Sequence, residues 1–192
     1  MNTSNIYNSV ERLSELLKVS ARQAGAIYGL QPVQLEILHY LSQCNQFSDT
    51  PMAVTEYLGQ TKGTVSQTLK VLETKALITK HADENDKRTA HLKVTAKGKQ
   101  LLQTTIPTEM FVNACEVLSE QQQIEIEQGL HTLITGLIKT NNMKSFGICS
   151  SCRYNSKLSD GTYFCNLVKQ PLENTDIQLI CREHEVENKE PT

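Results

Sequence analysis

The sequence predicts a mainly helical chain, a winged helix-turn-helix made of helices plus a small β-hairpin wing, with a cysteine-rich appendage at its C-terminal end. Three observations carry this. Residues 50–74 hold two short amphipathic segments joined at Gly59. Two strand-like runs follow, Leu77, Ile78, Thr79 and then residues 90–94, around the charged stretch HADENDKR. Four of the six cysteines lie within residues 149–181, where the apolar periodicity of the preceding helices stops. The organisation read from this is a helical domain over residues 1–144 and a separate segment over 145–192.

The elements follow in chain order. Residues 6–28 keep Ile6, Val10, Leu13, Leu17, Ala21, Ala24 and Tyr28 on one helical stripe. Gln31 and Pro32 open the next helix, whose apolar set is Val33, Leu35, Ile37, Leu38 and Leu41. Residues 46–49 read as a polar loop. Thr50 followed by Pro51 is a helix-start signal, and Gly59 is a stop, because glycine accepts the left-handed backbone a sharp end needs. Thr61 caps the following helix, with Val65, Leu69 and Leu72 on its inner face. Its outer face carries Lys62, Gly63, Thr64, Ser66, Gln67 and Lys70, all small, polar or basic. After the wing, Thr95 and Ala96 start a helix that Pro107 interrupts. A segment with Phe111, Ala114, Val117 and Leu118 comes next. Ser119 and Gln122 then form a capping box for a long helix bearing Ile124, Ile126, Leu130, Leu133, Ile134, Leu137 and Ile138.

Two short helices with a tight turn place the second helix in the major groove of DNA. In this chain that helix should present Lys62, Thr64, Ser66, Gln67 and Lys70. The hydroxyl and amide groups suit base edges, and the lysines suit phosphates. Arg88, on the charged tip, should reach the minor groove, with Asp86 and Lys87 holding the turn and the adjacent backbone. The wing segment reads D-x-R-x-x-x-L-x-V-T from Asp86 to Thr95, through Arg88, Leu92 and Val94. With the helix block before it, this resembles the MarR family of bacterial transcription regulators over roughly residues 5–140. Thr55 and Ala76 stand where that family commonly has alanine and glycine. The resemblance implies a homodimer in which first and last helices from two chains interlock. It also implies double-stranded DNA as partner, and a small phenolic or drug-like effector bound between the dimer helices.

Composition is compatible with this. Net charge is −2 overall, but residues 60–99 hold nine Lys/Arg against four acids, a local +5, whereas residues 145–192 sum to −2. Phosphate attraction follows the local field, so the basic stretch is a DNA footprint. No run of 18 apolar residues occurs, and the N-terminal stretch has no basic region before an apolar core. Both argue against a membrane span or secretion signal and for a cytoplasmic protein. No nucleophile–base pairing or glycine-rich phosphate loop appears, so no enzyme is expected. His39, Cys44 and Cys115 fall among apolar helical residues and read as structural, and His131 reads as a surface or interface residue.

The tail reads differently. Cys149, Cys152, Cys165 and Cys181 are spaced C-x2-C-x12-C-x15-C, with His184 following as C-x2-H. Few large apolar groups surround them, so the segment needs a staple, and a reducing cytoplasm disfavours disulfides. The expectation is one metal centre held by the four cysteines, with His184 as the alternative fourth ligand. Zinc suits this donor set, and so does an iron–sulfur cluster. A tail carrying such a cluster makes a redox or electron-transfer protein the competing function.

Overall fold

The structure is a computed structural model that describes residues 2–83 and 86–186; Glu84 and Asn85, inside the expected charged tip, lie outside the described residues, as do Met1 and residues 187–192. Its first part runs α1 (Thr3–Ala26), α2 (Pro32–Gln43), α3 (Pro51–Leu58), α4 (Lys62–Thr74), β1 (Ile78–Ala82), β2 (Ala90–Val94), α5 (Ala96–Thr105), α6 (Glu109–Glu116) and α7 (Glu120–Thr140). The expected caps are in place. Thr50 Oγ1 accepts from the Ala53 amide at 3.2 Å, and Thr61 Oγ1 from the Thr64 amide at 3.1 Å. Gly59 closes α3 with φ 61°, and Ser119 and Gln122 exchange bonds of 3.3 and 2.9 Å at the start of α7. Each cap satisfies amides that the first helical turn leaves unpaired.

The core lies around α2. Leu35, Ile37 and Leu38 are fully enclosed by Val54 of α3, Val65 and Leu72 of α4, and Ile78 and Leu92 of the wing. Gly98 lets α5 lie against the wing, since a Cβ there would come within 2.4 Å of the Leu77 carbonyl. Between α4 and β1 the chain turns through Ala76 at φ 56°. The Ala76 amide donates to Glu73 O at 2.8 Å and the Leu77 amide to Leu72 O at 2.9 Å. That bond pair is a Schellman motif, and the buried Leu72 and Leu77 supply its apolar contact.

One expectation needs correction. The first wing strand does not stop at Thr79. Antiparallel pairing continues through Lys80↔Leu92 and His81↔His91 to Ala82↔Ala90, so His81 and Ala82 belong to the strand and the tip is shorter. The polar loop expected at residues 46–49 is present, and much of it is buried. Asn45, Ser48 and Asp49 are all buried. Tyr40 donates its hydroxyl to Ser48 O at 2.8 Å, and the Leu92 amide donates to Asp49 O at 2.8 Å. Polar residues can be buried there because the loop's side chains hydrogen-bond each other and the wing.

The tail forms a three-stranded antiparallel sheet, β3 (Asn155–Lys157), β4 (Tyr163–Cys165) and β5 (Gln170–Leu172), between two 3-10 turns, Cys149–Ser151 and Asp176–Gln178. It has a small core of its own, Cys149, Leu172, Ile177 and Cys181, with Phe47 of the buried loop packed on it. Ile180 meanwhile joins the main core, its amide donating to Gln43 O at 2.8 Å and its carbonyl accepting from the Asn45 amide at 2.9 Å. Phe146 stacks edge-on against Tyr57 and Tyr40, with centroids 5.3 and 6.3 Å away. The tail is therefore packed into the helical body at two places.

Candidate nucleic-acid interface

The inward stripe of α4, Val65, Leu69 and Leu72, is buried, which turns Lys62, Ser66, Gln67 and Lys70 to the outside. Thr64 is half-buried. Its hydroxyl lies 2.9 Å from Thr61 Oγ1, so it contributes to the cap as well as to the exposed face. Thr68, between them, donates to the Thr64 carbonyl at 2.8 Å and stays inside. The helix thus offers two lysines, an amide and a hydroxyl along about two turns, a set able to contact phosphates and base edges together.

The wing tip is organised by Asp86. Its carboxylate accepts from the Arg88 amide and from Arg88 Nε, each at 3.0 Å, and from Thr89 Oγ1 at 3.3 Å. The bonds from Arg88 hold the Asp86 carboxyl below its ordinary value. The Arg88 side chain is 92% exposed, and Lys87 beside it is exposed too. Behind the tip, His91 bridges two carboxylates, with Nδ1 on Asp49 and Nε2 on Asp83 at 3.0 Å, and Lys93 Nζ lies 2.7 Å from Asp49. Burial acts to lower the His91 pKa, but the bonds to Asp49 and Asp83 outweigh it and raise it.

Between α4 and the wing runs an open groove of about 900 Å³. Lys62, Lys70, Lys80 and Arg88 line it, four of the nine basic residues counted over 60–99, and Glu73, Asp83 and Asp86 line it as well. Lys80 was legible only as part of the local charge; its place on the groove follows from the extension of β1. The groove also has a wall that the sequence did not announce, made by Val168, Arg182 and Glu183 of the tail. Arg182 is fixed there by a two-pronged pair with Glu56 of α3, Nε and Nη2 each 2.7 Å from a carboxylate oxygen. Lys144 adds a contact at 3.2 Å. The Arg182 bonds, with Lys144 behind them, pull the Glu56 carboxyl down to about 2.

Cys149, Cys152, Cys165 and Cys181 line one enclosed cavity of about 20 Å³, together with Asn45, Phe47 and Asn155. All six cysteines are free thiols. Burial pushes the Cys149 thiol up to about 12, and Cys181, Cys152 and Cys165 add to the shift. Among the described residues no three His, Cys, Asp or Glu side chains already stand in an arrangement that would hold an ion. His184 does not line this cavity. It is 7% exposed, and its ring nitrogens face Ser145 Oγ at 2.7 Å and Ser151 Oγ at 3.0 Å. Cys44 is buried at the end of α2, its thiol raised to about 12 by burial, which fits a structural role.

The outer helices present a different surface. Ile124, Ile126, Leu130, Ile134 and Leu137 of α7 are exposed in the single chain, as are Ile6, Val10 and Leu17 of α1. α6 and α7 bury no residue at all. Among the described residues no helix is long and apolar enough to cross a membrane.

Comparison with known proteins agrees with the geometry. A family profile described as MarR family matches residues 28–89. A MarR transcriptional regulator from Methanosarcina mazei Go1 superposes with a TM-score of 0.62 at 21% identity, over 71% of this chain and 99% of that one. The S. aureus MepR–DNA complex gives 0.56 at 26% identity, over 68% and 96%. Streptococcus pneumoniae FabT in complex with DNA gives 0.57 at 21%, over 73% and 99%. The likenesses at 21% identity speak for the fold alone. No curated protein matches the chain.

Proposed function

From the premise that this chain carries a MarR-family winged helix-turn-helix domain, matched over residues 28–89, we propose that it is a sequence-specific DNA-binding regulator of transcription that acts as a twofold homodimer. The observation that carries the reading is the groove between α4 and the wing, lined by Lys62, Lys70, Lys80 and Arg88. Likeness to MepR, whose structure was determined with DNA, supports it. In this reading α4 enters the major groove, Gln67 and Ser66 meet base edges, and Arg88 leaves Asp86 for the adjacent minor groove. The exchange is cheap because an exposed ion pair contributes little and the phosphate field replaces it. The uncovered apolar faces of α1, α6 and α7 pair with those of a second copy, which sets two recognition helices about one helical turn apart. A small effector between these helices, as the family resemblance implies, would act by changing that separation.

Selection of bound sequences from a random duplex library, followed by titration against salt, tests this. The expected result is an inverted repeat, with affinity falling steeply as salt rises, since several phosphates are neutralised. Recovery of no common sequence, or affinity indifferent to salt, refutes it.

A further inference from the structure

We infer that the four-cysteine cavity is a tetrathiolate site for one thiophilic ion of the zinc type, and that its occupancy sets the geometry of the DNA groove. The second half rests on the DNA-binding reading above; the first does not.

The site is assembled from three separate parts of the tail. Cys149 and Cys152 come from one tight turn, in which the Cys152 amide donates to Cys149 O at 3.1 Å. Cys165 ends β4, and Cys181 follows the second 3-10 turn. Buried thiols can serve as small apolar groups. What separates this cluster from a plain apolar core is the amide donors around it. Asn155 Nδ2 donates to the Cys149 carbonyl at 3.0 Å and also approaches Cys149 Sγ at 3.7 Å. Asn45 is only 1% exposed, and its amide nitrogen has no conventional hydrogen-bond partner. That nitrogen belongs to a side chain lining the cavity beside Cys181. An apolar core has no use for buried N–H groups turned on sulfur, whereas metal-bound thiolates are held and tuned by such donors.

The cavity, about 20 Å³, has room for one ion among the four cysteines, whose sulfurs zinc would draw to about 2.3 Å. His184 is left as a support: both its ring nitrogens already meet serine hydroxyls. Gly147 is required beneath it, since a Cβ there would lie 2.5 Å from Nδ1.

The link to the groove is short. Cys181 lies between Ile180, which is pinned to Gln43 and Asn45, and Arg182, whose amide donates to Ser48 Oγ at 2.8 Å and whose guanidinium holds Glu56 of α3. Arg182 and Glu183 are also the groove wall opposite the wing. An ion on Cys181 therefore fixes that wall and the helix preceding α4.

The test uses the full chain purified without air. The expected result is one zinc-type ion per chain, no visible absorbance, and four thiols resistant to alkylation until a chelator is added. Chelation should weaken affinity for the selected operator about tenfold, within the usual range of coupling between two sites, and added zinc should restore it. Cys165→Ser should lose the ion while retaining the helical circular dichroism. Glu56→Gln should keep the ion but show a smaller response to chelation. Four freely reactive thiols without stoichiometric metal overturn the site. Iron with sulfide and a brown colour overturns the single-ion assignment. Equal operator affinity with and without metal overturns the coupling. Metal-loaded protein that binds no DNA refutes the coupling and the DNA reading together, and leaves the metal result standing.

Discussion

Replacing Ala76 by glycine should stabilise the protein without changing what it binds. Ala76 sits at φ 56° where α4 hands over to the wing, and both Schellman bonds depend on that left-handed turn. An L-residue with a Cβ pays about 1–2 kcal/mol for this conformation, while glycine adds about 0.4–1 kcal/mol of unfolded-state freedom. The difference leaves Ala76→Gly more stable by about 0.5–1 kcal/mol. For a chain of this size each kcal/mol moves the melting temperature by about 2–4 °C, so a rise of about 1–4 °C is expected. Thermal and urea unfolding followed by circular dichroism would measure it, with operator affinity expected to stay within about twofold because no contact residue moves. A β-branched side chain tolerates the left-handed region least, so Ala76→Val should move the melting temperature the other way. A lower melting temperature for the glycine variant, or equal ones for glycine and valine, would refute the reasoning.

Three further outcomes follow from the same geometry. Arg88→Ala removes an almost fully exposed side chain, so it should weaken DNA binding by about 1–3 kcal/mol and leave the melting temperature unchanged; unchanged affinity in a fluorescence titration counts against the wing assignment. His91 has a folded-state pKa raised by Asp49 and Asp83 after burial has acted the other way, so its contribution is complete below its unfolded pKa and is lost as pH rises through the folded value. The melting temperature of wild type should therefore fall relative to His91→Gln as pH rises above about 6.5, and parallel curves for the two proteins would be the contrary result. Ile134→Glu places a charge on the exposed apolar face of α7, where Ile134 is 53% exposed in one chain; sedimentation should show monomer in place of dimer, and an unaltered dimer would move the interface elsewhere.

What the sequence disclosed was local. Thr50, Thr61, Gly59 and Ser119 act on amides a few residues away, so their roles could be read from the chain alone. The buried stripe of α4 follows from its period, and the wing from its charged tip. What stayed hidden depends on long-range closure. Arg182 and Glu56 are 126 positions apart, and nothing in either neighbourhood names the other. Ile180 reads as one apolar residue in an irregular tail, yet it completes the core around α2. Residues 46–49 read as a polar loop, and their burial stayed hidden because their polarity is satisfied inside, by partners on the wing and on α2. The cysteine spacing announced a shared site. It could not tell that His184 turns its nitrogens to serines, because that depends on where the chain crosses beneath Gly147.

The place of Ile180 and Phe146 in the helical body bears on how the chain is made. Synthesis delivers the N-terminal part first, at about 5–20 residues per second. When α7 has emerged, the pocket over Tyr40 and Tyr57 still lacks Phe146, and the Gln43 carbonyl and Asn45 amide still lack Ile180. The winged helix-turn-helix half can assemble by then, but one wall of its groove and part of its core wait several seconds for residues 180–183. A chain released early, or clipped after residue 144, would carry a recognition helix on an unfinished body, with buried polar backbone open to water. Such a product should be less stable than the full chain and more readily cut by proteases.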